Sequence, residues 1–262
     1  MIFHRITSFL LTALIGAGYF YLIFDPFTTD AVTHRFYVPF VMAGVFVLAW
    51  LLLARLLKWE LRSFSFWIFI SVPLFVLFSS FTLFLFLELF AVKVILGAIT
   101  MVAAWLYTEN LFTFYHLPRA YQAYSLEYLS VILYLLGCFL FASTAYGAQL
   151  FLSLPIWVPV IAIFWIVLFA TIGVFWVSKV DPQTSTLYAV AGAIMLSEFY
   201  LVFGMLPTSF LTNAAALTVV LYLFFGLSRA HVLEKLTKTV LVRYLAISTV
   251  FLLVIFLTAR WI

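Results

Sequence analysis

The sequence predicts an all-α fold, a polytopic bundle of about nine transmembrane helices, and two observations lead to this class. Apolar residues make up 68% of the 262 residues and charged residues only 8%. The apolar residues fall in about nine runs of roughly 20, the length that an α-helix needs to cross a hydrocarbon core about 30 Å thick. A soluble domain of this size could not cover so much apolar surface with so few charges. Transmembrane strands are excluded because the runs lack period-two alternation and are about twice too long.

The first span is predicted near residues 6–24 and the second near residues 37–57. The first follows His4 and Arg5 and resembles a signal peptide. The run is long, however, and no convincing small-residue cleavage site precedes Asp25. We therefore expect an uncleaved first helix.

The third and fourth spans are predicted near residues 64–85 and 88–107. Only Glu88 and Lys93 interrupt the apolar stretch between Phe64 and Tyr107. A stretch of this length is too long for one crossing and fits two helices joined by a tight turn.

Five more spans are predicted near residues 126–149, 156–178, 185–205, 209–228 and 243–261. A turn at Pro207 separates the seventh span from the eighth. The stretch between Arg229 and Arg243 alternates cations with apolar residues. It is typical of an interfacial helix whose basic side chains attract anionic headgroups.

The basic residues predict the orientation. Ten of the 13 Lys and Arg residues fall on the side of the membrane that holds the N-terminus, namely Arg5, Arg55, Lys58, Arg62, Arg119, Lys179, Arg229, Lys235, Lys238 and Arg243. Arg35 and Arg260 fall on the other side, and Lys93 falls inside a span. This bias predicts a multi-pass protein of the cell membrane with a cytoplasmic N-terminus and an external C-terminus. The net charge of +4 does not indicate nucleic-acid binding, because the cations lie beside the ends of apolar runs.

The two halves of the chain show a similar hydropathy pattern at an offset of about 116–120 residues. Thr100, with Ala98 and Val102 around it, then aligns with Thr218 and its neighbours Ala216 and Val220. We predict internal repeats at residues 1–122 and 123–241, followed by a final helix at 242–262. Four helices per repeat would give both halves the same orientation, and a cavity could form where the halves meet.

Glu198 is the strongest candidate for a functional residue. It lies near the middle of the predicted seventh span, where a charged carboxylate costs a few kcal/mol unless it is protonated, paired or facing a wet cavity. It is a candidate proton- or cation-binding group. The alternative is a carboxyl group hydrogen-bonded to neighbouring hydroxyls. Small residues spaced four apart on the same helix, Ala189, Ala193 and Ser197, would let another helix approach closely.

Lys93 and Glu88 are the other candidates for an ion or substrate site. Lys93 either extends its long stem toward the membrane surface or pairs with Glu198 or Glu88 across helices. Five residues separate Glu88 from Lys93, so the two do not share a helix face. Glu88 itself is expected in the turn between the third and fourth spans, exposed to water.

No catalytic residue, metal site or cofactor is predicted. Asp25, Asp30 and His34 lie in one connection, but their spacing is weak support for a metal or a catalytic group. Haem is not expected, since the four His residues lie near span ends or outside the spans. Cys138 is the one cysteine, so no intramolecular disulfide can form. Motifs for phosphate loops, zinc proteases, dithiols and serine hydrolases are absent.

Three functions remain open, and the first is favoured over the second. The apparent repeat and Glu198 favour a small secondary transporter or permease. The minimal loops, many Phe residues and few polar groups within the spans favour a non-catalytic subunit or scaffold that packs against other membrane proteins. The least favoured function is an intramembrane enzyme that modifies lipid with Asp25, Asp30 or His34. In each case the lipid bilayer is the surrounding medium.

Overall fold

In the computed structural model, all of the regular secondary structure of the described residues is helical. The structure describes the backbone of residues 2–24, 31–122, 124–259 and 261, and the side chains in these ranges except those of residues 2–5 and 31–36. Within these ranges lie the helices α1 (Ile2–Phe24), α2 (Ala31–Leu56), α3 (Phe64–Phe84), α4 (Phe90–His116), α5 (Ser125–Phe151), α6 (Trp157–Val177), α7 (Pro182–Gly204), α8 (Phe210–Val232) and α9 (Lys238–Thr258), and no described residue is in a strand. Each helix contains a segment long and apolar enough to cross a membrane. The predicted class, a multi-pass helical membrane protein, is confirmed.

The long apolar stretch after Phe64 forms two helices, as predicted. Helix α3 ends at Phe84 and α4 begins at Phe90. The backbone amide of Phe86 donates to the carbonyl of Leu83 at the turn. Five residues thus reverse the chain, which fits the short connections of helical hairpins.

Helix α4 is longer than the sequence predicted, because it continues to His116 rather than ending at residue 107. Polar residues interrupt the apolar run there, but their side chains bond to the helix itself. Thr108 donates to the carbonyl of Ala104 at 2.7 Å, and Asn110 donates to the carbonyl of Leu106 at 2.8 Å. The apolar run therefore ends two turns before the helix does.

The prediction of an interfacial helix between Arg229 and Arg243 is wrong. The stretch is divided among the end of α8, a connection at residues 233–237 and the start of α9. Glu234 adopts a φ of 56°, in the left-handed region that commonly ends a helix. Thr237 then caps α9, since its hydroxyl accepts a hydrogen bond from the amide of Val240.

The chain divides into two compact units, and the first is Met1–Leu133. Its four complete helices form a ring in which α1 contacts α2 and α4, and α3 contacts α2 and α4. A chain of hydroxyls crosses its core. Tyr19 donates to Ser80, Ser80 donates to Thr100 at 2.6 Å, and Thr100 donates to the carbonyl of Leu96 at 2.8 Å. Because each hydroxyl has a partner, these polar groups are buried without a large cost.

The second unit is Tyr134–Ile262. Helix α7 packs against α6 and α8, and α9 packs against the outside of α8. The absent side chain of Gly173 makes room for the Tyr134 ring, which a Cβ at this position would overlap. Ser248 is the one buried residue among those described in α9. Nearly every described residue of α9 is therefore at least partly exposed to the surrounding medium.

The predicted duplication stays a prediction. The boundary between the two units falls inside α5, later than the predicted boundary at residues 122 and 123. The aligned residues Thr100 and Thr218 donate to the carbonyls of Leu96 and Ala214, four residues earlier in each case. Threonine makes this bond in many helices, so the match does not distinguish a repeat from chance.

Candidate functional site

Glu198 lies on the exposed surface of the second unit. It belongs to a stripe on α7 that we call the outward face of α7, whose members are Leu187, Val190, Ile194, Glu198, Val202 and Met205. All of these side chains are exposed, and Glu198 is the only charged one among them. The spacing of three and four residues places them along one side of the helix.

Glu198 is also without a partner among the described residues of the second unit. No hydrogen bond or ion pair involves its carboxyl group there. It lies six residues before the end of α7 at Gly204, or about 9 Å along the axis. Helix α7, which is long and apolar enough to cross a membrane, therefore carries an exposed carboxyl group without a described partner.

The small residues of α7 lie on its inward side. Ala189 and Ala193 are fully buried and Ser197 is 7% exposed. A Cβ at neighbouring Gly192 would overlap the ring of Phe224 on α8. These residues serve close helix packing, and they face away from the outward face of α7 that carries Glu198.

Lys93 lies in the first turn of α4 and is partly exposed. Its Nζ is 4.9 Å from the centroid of the Phe84 ring, a distance typical of a cation–π contact. A pair with Glu198 would join the two units and stays a prediction.

Glu88 lies in the turn between α3 and α4 and is exposed, as predicted. Glu88 and Lys93 are five residues apart, and α4 begins between them at Phe90. Glu88 therefore belongs to the turn and Lys93 to the helix. A role for either residue in ion or substrate binding stays a prediction.

The connection that carries Asp25 and Asp30 lies outside the described residues, as does the side chain of His34. The proposal of a lipid-modifying site there is therefore untested. Among the residues that the structure does describe, no group of three or more His, Cys, Asp or Glu side chains could hold a metal ion.

A second acidic residue within a helix, Glu109, escaped the sequence analysis. The predicted fourth span ended before it, whereas the structure places it inside α4. Its carboxylate accepts a hydrogen bond at 3.1 Å from Ser8 of α1, which is 1% exposed. Unlike Glu198, Glu109 is turned toward a neighbouring helix of its own unit.

A polar cavity that the sequence did not predict lies at the end of the second unit where α5 and α7 end and α8 begins. Its volume is about 310 Å³, and its polar lining comes from Tyr146, Gln149, Thr208 and Asn213. The Thr208 hydroxyl donates to the side-chain amide oxygen Oδ1 of Asn213. The lining carries no charged side chain, so the cavity suits a small neutral polar solute.

Tyr146, which lines this cavity, stacks on Tyr200 of α7. The rings of Tyr146 and Tyr200 are 4.2 Å apart between centroids. Tyr146 donates to the backbone carbonyl of Tyr200 at 2.8 Å, and the Tyr200 hydroxyl donates to Gln149 Oε1 at 3.2 Å. These contacts order α5 against α7, and they leave the amide NH₂ of Gln149 as a donor.

A further polar cluster joins the connection before α5 to the first turn of that helix. Tyr121 donates to Glu127 Oε2 at 2.9 Å and accepts a bond from the amide of Leu126 at 3.1 Å. Burial raises the pKa of Tyr121, and the nearby Glu127 carboxylate raises it further. Its hydroxyl therefore stays protonated at neutral pH and acts as a structural donor.

Comparison with known proteins found no match to a family model, to a curated protein or to a solved structure. What the chain can do must therefore be inferred from its own geometry. In the described residues, that geometry offers a carboxyl group without a described partner on an outward apolar surface and a neutral polar cavity where α5 and α7 end.

Proposed function

We propose that the chain is a non-catalytic subunit of a larger membrane complex, bound to its partner through the outward face of α7. The observation that carries the proposal is Glu198, an exposed carboxyl group in the middle of an apolar stripe. Hydrocarbon is a poor medium for such a group at this depth. A second membrane helix can supply the hydrogen bond that lipid cannot.

The partner is inferred from the same chemistry. It is a transmembrane helix of another protein that places a Lys, Arg or His side chain, or a neutral donor, opposite Glu198. Ile194 and Val202 lie one turn away on either side and are 50% and 55% exposed. They would form an apolar contact around the polar pair, an arrangement that excludes water from it.

Helix α9 provides the contrast that supports this choice of face. Its exposed residues along the span include Leu245, Val250, Leu253 and Leu257. Lipid chains satisfy such a surface, so α9 needs no protein partner. The outward face of α7 differs from these exposed apolar residues of α9 in that it includes the carboxyl group of Glu198.

The proposal is tested by extracting the chain from its native membrane in a mild detergent and measuring the mass of the intact assembly. We expect the wild-type chain in a complex larger than itself. Glu198→Leu should release it, and Glu198→Gln, which keeps an acceptor and adds a donor, should retain part of the complex. Leu253→Ala on α9 serves as the matched control and should leave the assembly unchanged.

Two results would contradict the proposal. One is a wild-type chain that is solitary under every mild extraction condition. The other is an assembly that survives Glu198→Leu as well as it survives Leu253→Ala.

The polar cavity favours a second candidate, a small transporter or permease. Its neutral lining from Gln149, Thr208 and Asn213 would bind a polyol or a neutral amide. Deeper in the unit, a cavity lined by Cys138 and Leu196 holds about 10 Å³, room for at most about one water. Transport would therefore require the helices to separate there.

This candidate is tested with a panel of polyols and neutral amides in thermal unfolding measurements. Binding in the cavity should raise the melting temperature of the wild-type chain but not that of Asn213→Leu or Gln149→Leu. In proteoliposomes, Glu198→Gln should abolish proton-coupled uptake of any solute that binds. No shift with any solute of the panel would remove the candidate.

A further inference from the structure

An apolar groove of about 440 Å³ lies between α7 and α8 and opens to the outside of the second unit. Met195 and Phe199 of α7 form one wall, and Leu223 and Leu227 of α8 form the other. Nearly all of the lining is apolar, so a hydrocarbon chain could lie in it at no desolvation cost.

The length of the groove matches one leaflet of a bilayer. On α7 its lining runs from Tyr188 to Phe199, and on α8 it runs from Val220 to His231. Each range contains twelve residues, and its two ends are about 16 Å apart along the helix axis. That is about half of a hydrocarbon core about 30 Å thick.

One end of the groove is polar and basic. His231 lines it there, with its ring centroid 6.4 Å from that of Tyr188. Leu236 of the connection between α8 and α9 also lines the groove, and the nearby Lys235 and Lys238 are exposed. The other end of the groove lies deep along the span.

The charge at this end is predominantly positive. The helix ends and connections on this side of the unit carry the cations Lys179, Arg229, Lys235, Lys238 and Arg243 and the anions Asp181 and Glu234. The Asp181 carboxylate already accepts the amides of Gln183 and Thr184 as the cap of α7. A phosphate at the groove mouth would therefore meet an excess of positive charge.

We propose that this groove binds an anionic phospholipid, with one acyl chain between α7 and α8 and the headgroup phosphate at Lys235 and Lys238. A zwitterionic lipid would fill the apolar part equally well but would gain less from the basic mouth. The proposal does not depend on a protein partner of Glu198, because Glu198 lies on the outward face of α7 and does not line the groove.

The test uses the full chain reconstituted in phosphatidylcholine vesicles doped with phosphatidylglycerol of the same acyl chains. Lipids that stay bound after extraction in mild detergent are quantified by mass spectrometry. We expect the wild-type chain to retain phosphatidylglycerol preferentially. The double variant Lys235→Gln/Lys238→Gln should weaken that retention about 30-fold, at about tenfold per 1.4 kcal/mol and about 1 kcal/mol per cation near the surface.

A matched control removes two exposed cations elsewhere. Arg62→Gln/Arg119→Gln lowers the net charge equally and should leave phosphatidylglycerol retention unchanged. Filling the groove with Leu227→Trp should reduce retention of both lipids, whereas Leu253→Trp on α9 should not. Equal losses in both double variants would overturn the proposal, because they would indicate a general surface attraction.

A measurement without variants distinguishes the groove from ordinary surrounding lipid and from a soluble phosphate site. Phosphatidylglycerol with a photoreactive acyl chain should label the groove walls near Met195 and Leu227. Glycerol phosphate should not compete with it. Even labelling of α7, α8 and α9, or full competition by glycerol phosphate, would contradict the proposal.

Discussion

Glu198→Leu should stabilise the isolated chain and destabilise its complex, and this opposite sign is the sharpest consequence of the structure. In the isolated protein the carboxyl group faces the surrounding medium without a described partner. Removing it relieves a cost and leaves no donor unsatisfied. In the complex, the same change strands the partner's donor in a dry interface.

The magnitude follows from the depth of the residue. At a helix centre, an acidic residue costs about 3 kcal/mol on insertion and a leucine gains about 0.5 kcal/mol. Glu198 lies five residues beyond the centre of α7 (Pro182–Gly204), or about 7 Å along the axis. At about half the depth of a leaflet we expect about half of that difference, a stabilisation of about 2 kcal/mol.

The assay is reversible unfolding of the isolated chain from bicelles into aqueous denaturant, so that residue 198 enters water on unfolding, with Ile194→Leu as a control on the same face. The control should change the free energy of unfolding by less than about 0.5 kcal/mol. A loss of stability of 1 kcal/mol or more in isolated Glu198→Leu would refute the reasoning. It would mean that the carboxyl group is already satisfied within its own chain.

Three further predictions concern the fold, each measured by thermal unfolding in detergent. Gly173→Ala should lower the free energy of unfolding by about 2 kcal/mol, because the new Cβ overlaps the Tyr134 ring. Gly44→Ala is the control, because Gly44 has open space around it, and it should be neutral or slightly stabilising. Equal effects of the two substitutions would contradict the packing of Gly173 against Tyr134. Asp181→Ala should cost about 1 kcal/mol through loss of the cap of α7, and Asp181→Asn should recover most of it. Tyr121→Phe should cost about 1 kcal/mol at neutral pH. The folded-state pKa of Tyr121 is raised above its ordinary value of 10. The wild-type chain should therefore be more stable than Tyr121→Phe below pH 10, and this difference in free energy of unfolding should shrink above pH 10. A difference that grows with pH would contradict the role of the Tyr121 hydroxyl as a donor.

The sequence was sufficient for the class of the protein and for the order of its helices. Run length and charge depletion are properties of the whole chain, so local errors do not disturb them. The turn between α3 and α4 was predictable because no single helix of that length fits a bilayer. The end of α4 was not predictable in this way. Thr108 and Asn110 are polar residues typical of loops, but in the structure their side chains donate hydrogen bonds to the backbone of α4 itself.

The direction in which a residue faces was beyond the sequence. Glu198 and Ser197 are adjacent in the chain, yet Ser197 is buried and Glu198 is exposed. All sides of a membrane helix are apolar, so hydropathy does not separate its inward side from its lipid-facing side. The polar cavity escaped for a related reason. Gln149 and Asn213 lie more than 60 residues apart in the sequence and meet only at helix ends.

Photo-crosslinking in the native membrane tests most directly whether the outward face of α7 contacts a protein. A photoreactive amino acid at Ile194 or Val202, on either side of Glu198, should give a discrete adduct heavier than the chain. The same probe at Leu245 or Leu253 of α9 should react with lipid alone. Lipid adducts at all four positions would contradict a protein partner on α7.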